Sequence, residues 1–142
     1  MVGADGIRST LRTQVLSKIP TKQPILQYIQ IFLILGISHL DHPLLTQRGF
    51  YTLDGAQRLF IMPFEDEDDA DGSAFGENTY ETKGRKTMWQ LSFYLENEKE
   101  AMNLSKCDQH TLLNEVKKRV LNWHSPVFEM VENTDIGSVW GT

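Results

Sequence analysis

A single cysteine, Cys107, stands among 142 residues, so no intrachain disulfide framework is possible. A lone thiol without a signal peptide points to a reducing, cytoplasmic setting. The first residues lack the basic n-region and apolar stretch of a secretory signal. Long hydrophobic runs are missing too. The most apolar stretch, Tyr28 to Ile37, contains Gln30 and falls far short of the roughly 20 residues a spanning helix needs, so no membrane is expected as a partner. Positive charge is scarce: 14 Lys and Arg face 19 Asp and Glu, for a net charge of −5. No basic stripe is left to grip a phosphate backbone, which argues against nucleic acid. Six acids fall in the run Glu65-Asp66-Glu67-Asp68-Asp69-Ala70-Asp71, so the rest of the chain is close to neutral. No internal repeats are visible.

What is present reads as one ordinary domain's worth of chain. Met1-Val2 resembles the last step of a strand, followed at once by a Gly3-Ala4-Asp5-Gly6 turn. Ile7, Leu11 and Val15 then recur at four-residue spacing, one face of a short helix that Asp5 is placed to cap. Pro20 and Pro24 open a connector. The stretch from Ile25 to Ile37 is β-branched and aromatic, and its change from alternating to continuously apolar predicts a strand buried on both faces toward its end. A loop from Ser38 to Pro43 follows. Gly49 to Leu53 and Arg58 to Pro63 read as two strands joined at Asp54-Gly55, the strongest hairpin signal in the chain.

The segment 65–86 is acidic, Gly-bearing and poor in aliphatics, which predicts a mobile surface insertion. Thr87 to Leu95 resumes as a strand. Met88, Gln90, Ser92 and Tyr94 share one face, and Trp89, Leu91, Phe93 and Leu95 the other. Asp108 caps a helix to about Trp123, with Leu112, Leu113, Val116, Val120 and Leu121 as its apolar stripe and Lys117, Lys118 and Arg119 at its negative end. Ser125-Pro126 starts a short helix through Val131, with Pro at its first position. Ile136 to Trp140 reads as a final strand. The fold class is α+β: an antiparallel sheet of about four strands with helices on one face. The opening strand-turn-helix instead has the form of the edge of an α/β dinucleotide-binding domain, which divides the chain into 1–19 and 20–142.

Few residues suggest chemistry. His39, Asp41 and His42 are too few for a metal site and lie in a Pro-bounded loop, so no metal is expected. Cys107 with His110 at a helix start is not a convincing nucleophile pair. Trp89 and Trp123 read as core. The mixed face of Met88, Gln90, Ser92 and Tyr94 suits the wall of a pocket that orients a small-molecule substrate; a solvent-facing surface is the alternative. In the opening turn, glycines let backbone N–H groups approach a pyrophosphate, and a helix N-terminus favours negative charge.

The string Gly3-Ala4-Asp5-Gly6-Ile7-Arg8-Ser9-Thr10-Leu11-Arg12 resembles the "GADG-x-x-S-x-x-R" signature of FAD-dependent monooxygenases of the para-hydroxybenzoate hydroxylase type. All signature positions are filled. The resemblance implies that Gly3, Asp5, Gly6, Ser9 and Arg12 contact the cofactor, with FAD and NAD(P)H as the cofactors. It implies that the sheet after this motif forms one wall of a pocket for an aromatic or other small organic substrate, which is hydroxylated. The family's Gly-x-Gly-x-x-Gly fingerprint and its later Gly-Asp motif are absent from these residues, so the resemblance covers the middle segment only. FAD binding by this chain alone would then need the missing FAD-binding segments as partners. No catalytic acid or base is assigned. The competing expectation is a non-catalytic binding or interaction domain derived from such an enzyme.

Overall fold

The computed structural model describes residues 6, 9–18, 27–46, 48–64 and 86–142. Its centre is one five-stranded antiparallel sheet in the order β2-β3-β4-β1-β5. The strands are β1 (Ile31–His39), β2 (Phe50–Leu53), β3 (Gln57–Phe64), β4 (Lys86–Tyr94) and β5 (Trp140–Gly141). The helices are α1 (Thr10–Leu16), α2 (Pro43–Thr46), α3 (Glu98–Leu104), α4 (Gln109–Val120) and α5 (Val127–Glu132), with a 3-10 turn at Ile136–Ser138. The α+β reading holds, with five strands where about four were expected.

Alternation sorts each strand between two faces. Phe32 and Ile34 of β1, Leu59 and Ile61 of β3, and Trp89, Leu91 and Phe93 of β4 are all buried. The register sets Ile34 opposite Leu91 and Leu91 opposite Leu59, so these side chains line up across the sheet on one face. Leu112, Val116 and Val120 of α4 and Val127, Met130 and Val131 of α5 close over them in one core. Each large apolar side chain so buried contributes about 1.5–3 kcal/mol against its exposed state.

Local chemistry explains most element ends. Asp54 ends β2: its Oδ1 accepts from the Ala56 and Gln57 N–H groups at 2.9 and 2.7 Å. Gly55 takes φ of 90°, a left-handed conformation that favours glycine. Asp108 caps α4 through the Thr111 N–H at 2.9 Å, as its sequence position predicts.

Several expectations need correction. β1 begins at Ile31, not Ile25, because Gln30 takes a left-handed φ of 61° that breaks an extended run. β1 also alternates throughout instead of becoming buried on both faces, since among the described residues helices cover only one face. Ser38 and His39 belong to β1, and the loop after them contains the single turn of α2. Lys86, assigned to the acidic insertion, is the first residue of β4; the rest of that insertion lies outside the described residues. Leu121 is exposed at the end of the α4 stripe. Pro126 sits at the N-cap of α5, one position before the first helical residue. The last strand shrinks to Trp140–Gly141 because Ser138 turns inward, its Oγ accepting the Ile37 N–H at 2.8 Å. The run from Glu98 to Leu104 is a helix that patterning missed. No helix among the described residues is long and apolar enough to cross a membrane.

Candidate functional site

Among the described residues the second face of the sheet is open, with Tyr51, Leu53, Tyr94 and Trp140 exposed, and cross-strand rows organise it. Leu53 pairs with Arg58, Arg58 with Ser92, and Ser92 with Leu33, giving one continuous row across four strands. On one side lies the Tyr94–Ile31 pair; on the other runs the row Tyr51–Phe60–Gln90–Leu35–Trp140. Ser92 is the shortest side chain among these neighbours. An open groove of about 580 Å³ forms over it, lined by Ile31, Leu33, Leu53, Arg58, Gln90, Ser92, Phe93, Tyr94 and the hairpin turn Gly55–Gln57.

Its walls are largely apolar, and its polar groups are few and placed. The Ser92 Oγ donates to the Arg58 carbonyl at 3.2 Å, tying β4 to β3 at the groove floor. The Arg58 guanidinium lies 5.5 Å from the centroid of the Tyr51 ring, which itself packs on Phe60 at 4.8 Å. At the turn, the Ala56 N–H is the chief cause holding the Asp54 carboxyl below the usual carboxylate range. Donors from Gln57 and Trp123 act in the same direction and outweigh partial desolvation. Behind the groove, Arg119 of α4 stacks 3.6 Å from the centroid of Phe93 and reaches the Gln57 Oε1 at 3.3 Å.

Of the four residues expected on a substrate wall, Gln90, Ser92 and Tyr94 line this groove. Met88 shares their face but lies beyond the Gln90 row, opposite Met62 and Ile37. Leu33, Leu53 and Arg58, which sequence reasoning did not single out for a site, also line it. Arg58 is a lone cation on an otherwise apolar outward face of β3, a signal that alternation alone could have raised.

The cofactor motif is only partly described: Gly3 and Asp5 lie outside the described residues. Gly6 has φ of 72°, and a Cβ placed there would meet nothing within 4 Å. Ser9, not Asp5, is the N-cap of α1; its Oγ accepts the Arg12 N–H at 2.9 Å. A left-handed glycine with open space beside it, leading into a capped helix, fits a backbone that a phosphate can approach. The Ser9 hydroxyl is thus engaged in capping α1. Elsewhere among the described residues, no cluster of three His, Cys, Asp or Glu could hold a metal.

No protein-family model and no curated protein matches the chain. Solved structures do. An FAD-containing monooxygenase from Photorhabdus luminescens superposes with a TM-score of 0.62 at 18% identity, over 97% of this chain and 36% of its own. Klebsiella pneumoniae HpxO, solved with FAD and uric acid, gives 0.67 at 17% identity, over 99% and 29%. Pseudomonas aeruginosa PqsL, an FAD-dependent monooxygenase, gives 0.57 at 17% identity, over 99% and 31%. The resemblance read from Gly3 to Arg12 is therefore borne out in the fold: over the 29–36% of their length that it spans, the chain has the architecture of FAD-dependent monooxygenases.

Proposed function

We propose that this chain is a piece of an FAD- and NAD(P)H-dependent monooxygenase that hydroxylates an aromatic or other small organic molecule in a cytoplasmic setting. The observation that carries the reading is the agreement of two independent features. One is the filled Gly3–Arg12 motif; the other is the near-complete superposition on three FAD monooxygenases. On this reading residues 1–19 end the FAD-binding domain and 20–142 form the substrate domain. Gly3, Asp5, Gly6, Ser9 and Arg12 contact the cofactor. Met88, Gln90, Ser92 and Tyr94 belong to the substrate wall.

FAD, when bound, accepts reducing equivalents from NAD(P)H and activates dioxygen for transfer to the substrate. The residues of this chain bind and orient. Leu33, Leu53 and Ile31 exclude water from an apolar ligand, and Gln90 and Tyr94 offer hydrogen bonds that fix its rotation. HpxO was solved with uric acid and PqsL with 2-aminobenzoylacetate, small ringed ligands of the size such a groove suits.

The coding sequence on either side of the chain tests the proposal. An in-frame Gly-x-Gly-x-x-Gly turn upstream and a Gly-Asp motif downstream would support it. Purified whole protein should then show the absorbance of bound flavin and oxidise NAD(P)H. A colourless protein that oxidises neither nucleotide would overturn the enzyme reading. The second reading is a non-catalytic binding domain. It is favoured by a groove built entirely from residues 31–94, and it predicts ligand binding with no flavin.

A further inference from the structure

One end of the groove is walled by the β2–β3 hairpin, through Leu53 and the turn Gly55–Gln57. Within the sheet β2 is hydrogen-bonded on one side only, to β3. Three residues at the end of α4 and just after it reach this hairpin from the helical side. The Arg119 Nη1 donates to the Gln57 Oε1 at 3.3 Å, the Trp123 indole donates to the Asp54 carboxylate, and the His124 Nε2 lies 3.1 Å from the Thr52 Oγ1. The Gln57 amide is the link that has a direction. Its Nε2 donates to the Asp54 Oδ2 at 2.9 Å, while the Asp54 Oδ1 accepts the Ala56 and Gln57 N–H groups that shape the turn. A guanidinium can only donate and a carboxylate can only accept, so an amide held between them has one orientation, oxygen toward Arg119 and nitrogen toward Asp54. Arg119 is itself held: its Nε and Nη2 both lie 2.8 Å from the Glu115 Oε1, and its plane stacks on Phe93.

We infer that Arg119 is a positioning residue for this groove: through the Gln57 amide and the Asp54 carboxylate, α4 sets where the hairpin wall stands. What the wall is positioned to meet rests on the reading of the groove as a ligand wall; the relay from Arg119 to Asp54 stands on the contacts alone. A wall held in place before a ligand arrives spares the ligand the cost of ordering it, and a short edge hairpin needs support from a rigid element to be held so.

Carboxyl and side-chain amide NMR of the full chain over a pH series tests the relay with no ligand present. In the unaltered chain the Gln57 side-chain amide protons should follow the titration of the Asp54 carboxyl. Arg119→Met leaves that amide free to turn, so the coupling should be lost and the Asp54 midpoint should move upward. In a Gln57→Leu background the same change should move it no further. The dispersion of the backbone amide spectrum reports that each variant is folded. A Gln57 amide that ignores the Asp54 titration in the unaltered chain would overturn the relay. So would an Arg119→Met shift that persists undiminished beside Gln57→Leu, since charge would then be acting through space. Phenol, a neutral ring, reports on the wall. Its saturable effect on the Gln90 and Ser92 amides should weaken about threefold in Arg119→Met and in Gln57→Leu, roughly the net contribution of one hydrogen bond. Unchanged phenol binding in both variants would overturn the positioning role. No saturable binding to the unaltered chain would overturn the ligand wall and leave the relay, which the titration decides by itself.

Discussion

Gly36 and Trp89 face each other across β1 and β4, and the indole occupies the space that a side chain on Gly36 would need. A Cβ placed on Gly36 would lie 2.5 Å from the Trp89 Cζ2. The indole is itself fixed, its Nε1 donating to the Thr134 Oγ1 at 3.1 Å, and it is fully buried. Gly36→Ala should therefore cost about 1–3 kcal/mol, the usual penalty for overfilling a packed core. Urea denaturation would measure it. Combining it with Trp89→Phe, which vacates that space, should cost less than the two single changes together.

Thr87 sits directly opposite Ser38 on the same face, and its buried Oγ1 has no hydrogen-bond partner among the described residues. A hydroxyl taken out of water and left unbonded is destabilising. Thr87→Val keeps the shape and removes the hydroxyl, so it should raise the urea midpoint by the equivalent of about 1 kcal/mol. A lowered midpoint would show instead that the hydroxyl has a hydrogen-bonding role, as with a bridging water.

Arg119 stacks on Phe93, pairs with Glu115 at 2.8 Å and reaches Gln57. Three contacts from one planar group tie α4 to the first residue of β3 and to β4. Arg119→Ala is expected to lose about 1–2 kcal/mol. Arg119→Lys should recover little of it, because an ammonium cannot stack and fork together. Thermal unfolding of both variants decides the matter.

The hairpin should make stability depend on acid. The folded-state pKa of Asp54 is lowered, chiefly by the Ala56 N–H. Its contribution is then fully present above the unfolded value of about 3.9 and fades as the pH falls through the lower folded value. Asp54→Asn retains an oxygen for the two backbone donors and removes the titration. Its urea midpoint should vary less than that of the unaltered chain between pH 5 and pH 2, taken as roughly the span over which a paired carboxylate loses its contribution.

The sequence made legible those features set by neighbours along the chain. Asp54-Gly55 and Asp108 act through N–H groups two or three residues away, so their roles are local and readable. The two faces of β4 follow from alternation. By contrast, α3 buries only Ala101, leaving no apolar stripe to see, and its start depends on the Asn97 Oδ1 accepting the Lys99 N–H. The groove was half legible for a related reason. Gln90, Ser92 and Tyr94 are consecutive outward positions of one strand. Leu33, Leu53 and Arg58 join them only through pairings between distant parts of the chain, and nothing local fixes that register.

The alternation between the two faces of the sheet bears on how such a chain can change over time. Residues that build the core and residues that line the groove alternate one by one along β1, β3 and β4. Leu91 and Ser92, adjacent in the chain, answer to separate demands. A lineage can therefore exchange Ser92, Arg58 or Leu33 and retune what the surface holds, while the interior a few ångströms away keeps its composition.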